Sequence, residues 1–345
     1  MASKVRVGIV GAGGIGGLGK RYNSHAGGYT RIDECELVAI ADINNERLQQ
    51  FGQEWDITPE HRYSTAVEMY EKANLDVVSV TTHNLYHHQP VIDAADAGVK
   101  VIMVEKPIAI SVEWARKMVD ACDKSSSYLI TEHTRRFVPH FRKIKKMITD
   151  GVVGEVRTIE TSGARPLLHN GTHTVDYAFY WADSDPKLVS GFLSDEPVAD
   201  PGGGGMIVCE NGVVIFVNCI ATRGEYDGVT IIAGTRGRIQ FTPTRYIWDY
   251  APLLDAPGKG YGTTYDWKEI PDMPKEFSDD DYFYSAALES VRCFIEDRES
   301  VSTGRDGLRA LEVITAIHVS HRTGSMVPMP LGEGLDQIEI RSTGE

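Results

Sequence analysis

The sequence predicts an α/β protein: an N-terminal doubly wound parallel sheet, then a C-terminal α+β domain with a large, mainly antiparallel open sheet. Three observations carry this reading. Apolar strand-like runs alternate with helical patterns over the first 125 residues. A glycine turn follows the first of these runs directly. Beyond residue 126 strand-like segments dominate and helices become few. The chain has 345 residues, more than one ordinary core accommodates. Two domains are therefore expected, at 1–125 and 126–345, with the terminal helices able to pack back on the first.

The continuous apolar runs VRVGIV (5–10), ELVAIA (36–41), LDVVSVTT (75–82), KVIMVEK (100–106) and YLITEH (128–133) suit strands buried on both faces. Between them, Thr65 and Glu68 form a capping box. Ser111 caps a helix whose apolar positions Val112, Ala115, Val119 and Cys122 recur at helical spacing. After KSSS (124–127), Phe141, Ile144 and Ile148 mark a helix that Gly151 can end. Strand-like segments follow at 156–163, 187–194, 205–210, 212–220, 228–234 and 237–242, with Asn211-Gly212 as a hairpin turn. The tetraglycine at 202–205 reads as a loop, since no helix follows it to make a phosphate site. Two helices, near 281–297 and 305–323, close the chain, the last with Leu308, Leu311, Ile314 and His318 on one face.

Composition narrows the function. A net charge of −14 argues against nucleic acid or an anionic membrane as the main partner, since both require a basic patch. No apolar run approaches the ~18 residues that span a bilayer. The N-terminal apolar stretch runs into a glycine turn rather than a cleavage site. Five cysteines, an odd count with no C-x-x-C pair, suit reduced thiols and a cytoplasmic location.

The strand VRVGIV leads into Gly11-Ala12-Gly13-Gly14-Ile15-Gly16, a G-x-G-x-x-G motif in the context of strand and following helix. Gly11 makes the tight turn, Gly13 admits a pyrophosphate, and Gly16 lets helix and strand pack closely. The second strand ends in Asp42, placed to accept bonds from ribose hydroxyls. The gap from Gly16 to Asp42 exceeds the usual ~20 residues, and segment 22–31 reads as an inserted loop that fills it. Asp42 repels a 2′-phosphate, and Ile43, Asn44 and Asn45 bring no cation, so NAD is expected rather than NADP. Glu105-Lys106-Pro107 closes another strand at its carboxyl end, where doubly wound folds bind ligands. A lysine there can bond a substrate hydroxyl or ketone oxygen and move its proton. Taken alone, the tripeptide is also an ordinary surface sequence.

Together these segments resemble the Gfo/Idh/MocA oxidoreductases, named after glucose–fructose oxidoreductase and inositol dehydrogenase. The likeness covers nearly the whole chain: VGIVGAGGIG, AIADIN (39–44), TTHNLYH (81–87), VEKPIA (104–109), the block 135–156, GTHTVDYAFYW (171–181) and the block 306–324. It implies a Rossmann domain and a catalytic pair, Lys106 and His173, with Asp176 following. His169 stands where many relatives carry aspartate. If it lies on a helix with His173 at i and i+4, the two share a face, and substrate contact is favoured over metal; no metal is expected. Thr81, Thr82, Asn84, His87 and Glu105 join Gly11, Gly13, Gly14, Ile15, Gly16, Asp42, Ile43 and Lys106 around the cofactor. His83 departs from the family's usual proline. Arg165 and Arg136 can anchor substrate, although salt bridges account for them equally. The implied activity is reversible oxidation of a secondary alcohol on a sugar, inositol or related polyol. The alternatives are an NAD-dependent glycosidase acting by transient oxidation and elimination, and a non-catalytic cofactor-binding regulator. A homodimer or homotetramer formed through the C-terminal sheet is expected.

Overall fold

The structure is a computed structural model that describes residues 3–194, 198–221, 228–242, 247–253, 266–273 and 279–341. The chain divides into two compact units. The first comprises Met1–Val138 and Ser278–Leu311, the second Pro139–Phe277 and Glu312–Thr343.

In the first unit, strands alternate with helices: β1 (Val5–Val10), α1 (His25–Tyr29), β2 (Cys35–Ala41), α2 (Asn45–Glu54), β3 (Arg62–Tyr63), α3 (Ala66–Lys72), β4 (Val77–Val80), α4 (His88–Asp96), β5 (Val101–Val104), α5 (Val112–Ser125) and β6 (Tyr128–Thr131). Among the described residues these strands form one six-stranded parallel sheet of order β3-β2-β1-β4-β5-β6. The order reverses between β1 and β4, which creates a crevice at the strand carboxyl ends. β4 and β5 are buried at every position, as their unbroken apolar runs require. The expected caps form: Thr65 Oγ1 accepts the Glu68 N–H at 3.3 Å, and Ser111 Oγ accepts that of Trp114 at 3.4 Å. Because β6 pairs with β5, this unit runs past the expected boundary at 125. It also takes in the helix Asp279–Glu296, whose Ala286, Ala287 and Val291 share a core cluster with Val5, Val77 and Val101.

The second unit begins with α6 (Pro139–Thr149), closed by Gly151 at φ +77°, and continues through β7 (Val156–Ser162), α7 (Gly171–Ala182), β8 (Pro186–Leu193), β9 (Gly203–Cys209), β10 (Val214–Cys219), β11 (Thr230–Gly234), β12 (Gly237–Thr242), β13 (Ile247–Pro252) and β14 (Lys268–Glu269). The Asp279–Glu296 helix, α8, and α9 (Gly304–Thr323) follow, and β15 (Val327–Pro328) ends the sheet. The division between units falls within α9, after Leu311. Among the described residues the sheet order is β14-β13-β12-β11-β7-β10-β9-β8-β15, antiparallel except where β7 meets β10. Asn211-Gly212 makes the expected β9–β10 hairpin, with Gly212 at φ +84°.

The tetraglycine is not a loop. Gly203, Gly204 and Gly205 open β9, pinned between β8 and β10. A Cβ on Gly204 would lie 2.1 Å from the Val217 carbonyl oxygen, and one on Gly205 2.1 Å from that of Ser190. Glycine serves close backbone approach here, which a polar-looking run does not announce. An aromatic cluster fills the other side of this unit: Trp181 stacks on Phe141 (5.5 Å, 7°), and Phe241 on Trp248 (4.9 Å, 7°).

Candidate active site

The glycine turn sits at the carboxyl end of β1, in the crevice of the first unit. Gly11 adopts φ +104°, which a side chain would oppose. A Cβ on Gly16 would lie 2.4 Å from the Gly11 carbonyl oxygen, so this residue closes the turn on itself. At Gly13 an added Cβ would meet nothing within 4 Å. The turn is therefore packed at both ends and open in the middle, the shape that admits a pyrophosphate. Asp42, just past β2, accepts the Ala12 N–H through Oδ2 at 2.6 Å and the Asn44 N–H through Oδ1 at 2.7 Å. Thr81 Oγ1 donates within reach of the Val10 and Gly11 carbonyls, at 3.1 and 2.8 Å, and braces the turn from β4. These residues fit a dinucleotide.

One expectation about the turn needs correction. No helix opens directly after Gly16; the chain makes further turns, and α1 begins only at His25. Segment 22–31 is thus not only an inserted loop, since it contains α1. The anchoring is by backbone bonds: the His25 N–H donates to Ile15 O at 3.1 Å, and the Ala26 N–H to Gly16 O at 3.0 Å.

Glu105 and Lys106 follow β5, and the Lys106–Pro107 peptide is cis. The Lys106 N–H donates to Glu105 Oε2 at 3.0 Å. Glu105 is buried, and Oε1 lies 3.3 Å from His25 Nε2. Glu132, past β6, brings Oε2 to 2.6 Å from the same nitrogen. Burial alone would push the imidazole of His25 down, but Glu132 and Glu105 overcome it and carry it up to about 10. Burial would raise Glu105, yet its bond and charge contact with His25, aided by Lys106, hold it down to about 2. Burial, with the charge of Glu105, raises Glu132 to about 7.

The other expected cofactor residues divide into two sets. Ile15 and Ile43 are exposed around the turn, and Gly14 and Thr82 are partly exposed. Asn84 is buried in the segment after β4. His87 is also buried: Nε2 lies 2.9 Å from Thr82 O, and Nδ1 3.1 and 3.2 Å from Pro107 O and Ile108 O. Burial depresses its pKa, against the pull of the carbonyl oxygens that face both ring nitrogens, and the ring bridges the loops after β4 and β5. His83 caps the short turn at 84–86 by accepting the Leu85 N–H. Arg136 lies in the first unit, buried, 3.0 Å from Asp306 and 2.9 Å from Val301 O, so a buried ion pair accounts for it.

In the second unit, His173 and Asp176 lie on α7 and are buried. His169 does not share that helix: it sits in the preceding turn, before the cap residue Asn170. The backbone there is bound by Asp200. Its carboxylate accepts the Leu168 N–H at 2.9 Å and the His169 N–H at 3.0 Å, beside a turn closed by the Asn170 N–H to Pro166 O at 3.0 Å. Arg165 stands on the same loop, its N–H donating to Ala221 O at 3.0 Å and its carbonyl accepting Asn170 Nδ2 at 2.7 Å. The sequence reading missed His25, Glu132 and Asp200. Glu132 was in view in YLITEH, two charged or polar residues ending a buried strand; His25 and Asp200 stand in polar, glycine-rich segments that carry no periodic signal.

A family model described as "Oxidoreductase family, NAD-binding Rossmann fold" matches residues 5–133, and its companion, the "C-terminal alpha/beta domain", matches 145–331. The chain belongs to the Gfo/Idh/MocA oxidoreductase family. This Gfo/Idh/MocA protein is 24% identical over 324 residues to D-xylose 1-dehydrogenase [NADP(+)] of Haloarcula marismortui, covering 86% of each chain. It is 25% identical over 350 residues to D-apiose dehydrogenase of Paraburkholderia graminis, covering 92% of this chain and 89% of the relative. Its fold matches a levoglucosan dehydrogenase solved with NADH and levoglucosan at a TM-score of 0.79, with 20% identity, covering 95% of this chain and all of that one. The protein is a nicotinamide-dinucleotide-dependent oxidoreductase with a Rossmann domain. Among its described residues no helix is long and apolar enough to cross a membrane.

Proposed function

We propose that this enzyme reversibly oxidises a secondary alcohol on a sugar, inositol or related polyol, with NAD(H) rather than NADP(H). The observation that carries the reading is the open glycine turn closed by Asp42, in one crevice with the Glu105-Lys106 strand end. Dehydrogenase relatives acting on D-xylose and D-apiose support the substrate class. When bound, the dinucleotide supplies the hydride acceptor or donor. Gly11, Gly13 and Gly16 make room for its phosphates, and Asp42 accepts from the ribose hydroxyls. Lys106 and His173 handle the hydroxyl proton, and Asp176, His169 and Arg165 contact the substrate. Five buried thiols support a cytoplasmic location. A screen of sugars, inositols and sugar acids with NAD and NADP, read by nicotinamide absorbance, tests the reading. Turnover on a polyol with NAD preferred is expected; equal or better efficiency with NADP overturns the cofactor assignment.

The second sheet supports a homodimer or homotetramer. The cross-strand row Ser190, Met206, Phe216, Glu160 and Ile231 runs over five strands on one face. Phe216 and its neighbour Phe192 are exposed there. An apolar sheet face of this kind favours burial against a second copy. Sedimentation showing only monomer at micromolar concentration overturns this.

A further inference from the structure

Three ionisable side chains that the proposed reaction leaves unused meet in the first unit. His25 opens α1, Glu105 follows β5 and Glu132 follows β6, and all three are buried. His25 binds in two directions. Its backbone N–H and that of Ala26 hold the glycine turn through Ile15 O and Gly16 O. Its side chain holds Glu105, whose second oxygen accepts the Lys106 N–H. One residue therefore ties the turn that receives the cofactor to the strand end that carries Lys106.

The shortest contact differs from the spacing of a metal centre, while His25 Nε2 and Glu105 Oε1, 3.3 Å apart, stand at a spacing that metal ligands also take. Two ligands at ~2.0–2.1 Å from a tetrahedral zinc ion lie about 3.3 Å apart. The 2.6 Å between His25 Nε2 and Glu132 Oε2 is a charge-assisted hydrogen-bond length instead. Buried ionic groups cost several kcal/mol each to desolvate, and apolar residues fill such a space at less cost. Among the described residues, groups facing the triad include Lys106 beside Glu105, His87 from the segment before α4, and Tyr29 from α1, whose hydroxyl is taken by Ser79 and Ser290. From α8, Phe283 presents an apolar ring to His25 at 5.8 Å.

We propose that His25 and Glu132 are positioning residues for Lys106, forming with Glu105 a buried ionic triad that couples the glycine turn to Lys106 and sets the charge beside it. The proposal rests on the reading of Lys106 as a proton-handling group. With His25 charged and Glu105 ionised, the triad is neutral when Glu132 holds a proton and carries one negative charge when it does not. Lys106 and Glu105 feel each other's charge. The negative triad therefore favours the Lys106 ammonium, and the neutral one favours the amine. Glu132 thereby governs the pH at which Lys106 can accept a proton.

The test compares wild type, His25→Gln, Glu132→Gln and Lys106→Ala. The readouts are kcat and KM from pH 5 to 10, NADH affinity by fluorescence titration, and the histidine ring resonances of the cofactor-free protein. Glu132→Gln removes one ionisable carboxylate from the triad and, while His25 stays protonated, is expected to shift the Lys106-dependent limb of the kcat profile down by about one pH unit. His25→Gln removes the tie and is expected to lower kcat about 10- to 100-fold, as small misplacements of a reacting group do. Its KM should change less than its kcat, and its NADH affinity should weaken a few-fold. The wild-type His25 ring should remain protonated above pH 8 without cofactor. If Lys106→Ala is inactive while both Gln variants keep the wild-type kcat and profile, the triad proposal fails and the reading of Lys106 stands. If Lys106→Ala is active, that reading fails. Should His25→Gln not fold, the isosteric Glu132→Gln and the wild-type ring titration still decide. A His25 ring that titrates near its ordinary value, or a stoichiometric metal ion lost in His25→Gln, overturns the proposal.

Discussion

The two sheets of this enzyme solve burial in opposite ways. In the first, β4 and β5 are buried at every residue, and core clusters that draw on α2 and α8 lie against the sheet. In the second, β10 alternates: Ile215, Val217 and Cys219 are buried while Phe216 and Asn218 are exposed. A closed sheet holds its strand ends in fixed places, which suits a turn, a carboxylate and a lysine that must keep their positions. The half-open sheet puts its constraint on one face, where the Phe141, Tyr177, Trp181, Phe241 and Trp248 rings interlock. Its other face carries the exposed Phe192 and Phe216, and loop 163–170 is held by the buried Leu167 and Leu168 and by bonds to the Asp200 carboxylate and the Ala221 carbonyl.

The largest expected effect tests where the chemistry resides. Lys106→Ala should lower kcat by ~100- to 10,000-fold, the range of a general acid–base group. The NADH dissociation constant should stay within a few-fold, since the glycine turn and Asp42 are untouched. Stopped-flow turnover together with fluorescence titration measures both. A folded, cofactor-bound variant at near wild-type rate would place the chemistry elsewhere.

Next comes the contrast in burial. Ile102→Ala in the closed sheet and Trp181→Ala in the aromatic cluster remove fully buried side chains. They should cost about 2–5 and 3–5 kcal/mol respectively in denaturant unfolding. Phe216→Ser, on the open face, should cost the isolated subunit little and act on association instead. A Phe216→Ser protein that keeps its oligomeric state by sedimentation would remove the case for that face as the interface.

Asp42 sharpens the comparison within the first unit. Its carboxylate meets the Ala12 N–H, and its neighbour Ile43 is exposed. NAD should exceed NADP in kcat/KM by at least about tenfold, ~1.4 kcal/mol, and Asp42→Ala should erase most of that preference. Equal preference in wild type and variant would mean that another group reads the ribose.

Legibility followed the same division. Largely apolar runs announced β1, β2, β4 and β5, because strands buried on both faces leave few polar positions to mislead, here Arg6, Glu36 and Ser79. Strand-like segments and the Asn211-Gly212 turn announced β10 and β12, while the alternation of burial along β10 shows only in the structure. The tetraglycine was misread because close backbone approach leaves only an absence of side chains in the sequence. β3, β14 and β15 have two residues each, too short for any period to show. The spacing of His169 from His173 suits a shared helix face only if the helix reaches back that far; His169 lies just before α7, its N–H bound by Asp200, 31 residues on. The triad was invisible for the same reason: His25, Glu105 and Glu132 meet only after β1, β5 and β6 are laid in order.

The smallest expected effect concerns charge inside the closed region, and its sign can be worked out group by group. His25 is raised to about 10, so its contribution to stability is full below its ordinary 6.5 and is lost as pH rises through 10. Glu132 is raised to about 7, contrary to most carboxylates, so its contribution is full below its ordinary 4.5 and is lost as pH rises through 7. Glu105 is lowered to about 2, so its contribution is present above 4.5 and is lost as pH falls through 2. Between pH 5 and 10 the first two act in the same direction, and the third is constant. Wild type should therefore lose thermal stability steadily over that range. Glu132→Gln cannot release a proton and should lose the part of this slope between about pH 5 and 7; because the Glu132 charge helps hold the His25 pKa up, the part that belongs to His25 should shrink as well. The difference in Tm between wild type and Glu132→Gln should thus shift in favour of the variant as pH rises to 7 and go on shifting that way towards 10, where wild type loses the larger His25 contribution. Scanning calorimetry of both proteins in matched buffers measures this. Parallel Tm curves across the whole range would show that Glu132 carries no proton in this window, and that charge in the closed unit is as fixed as its strands.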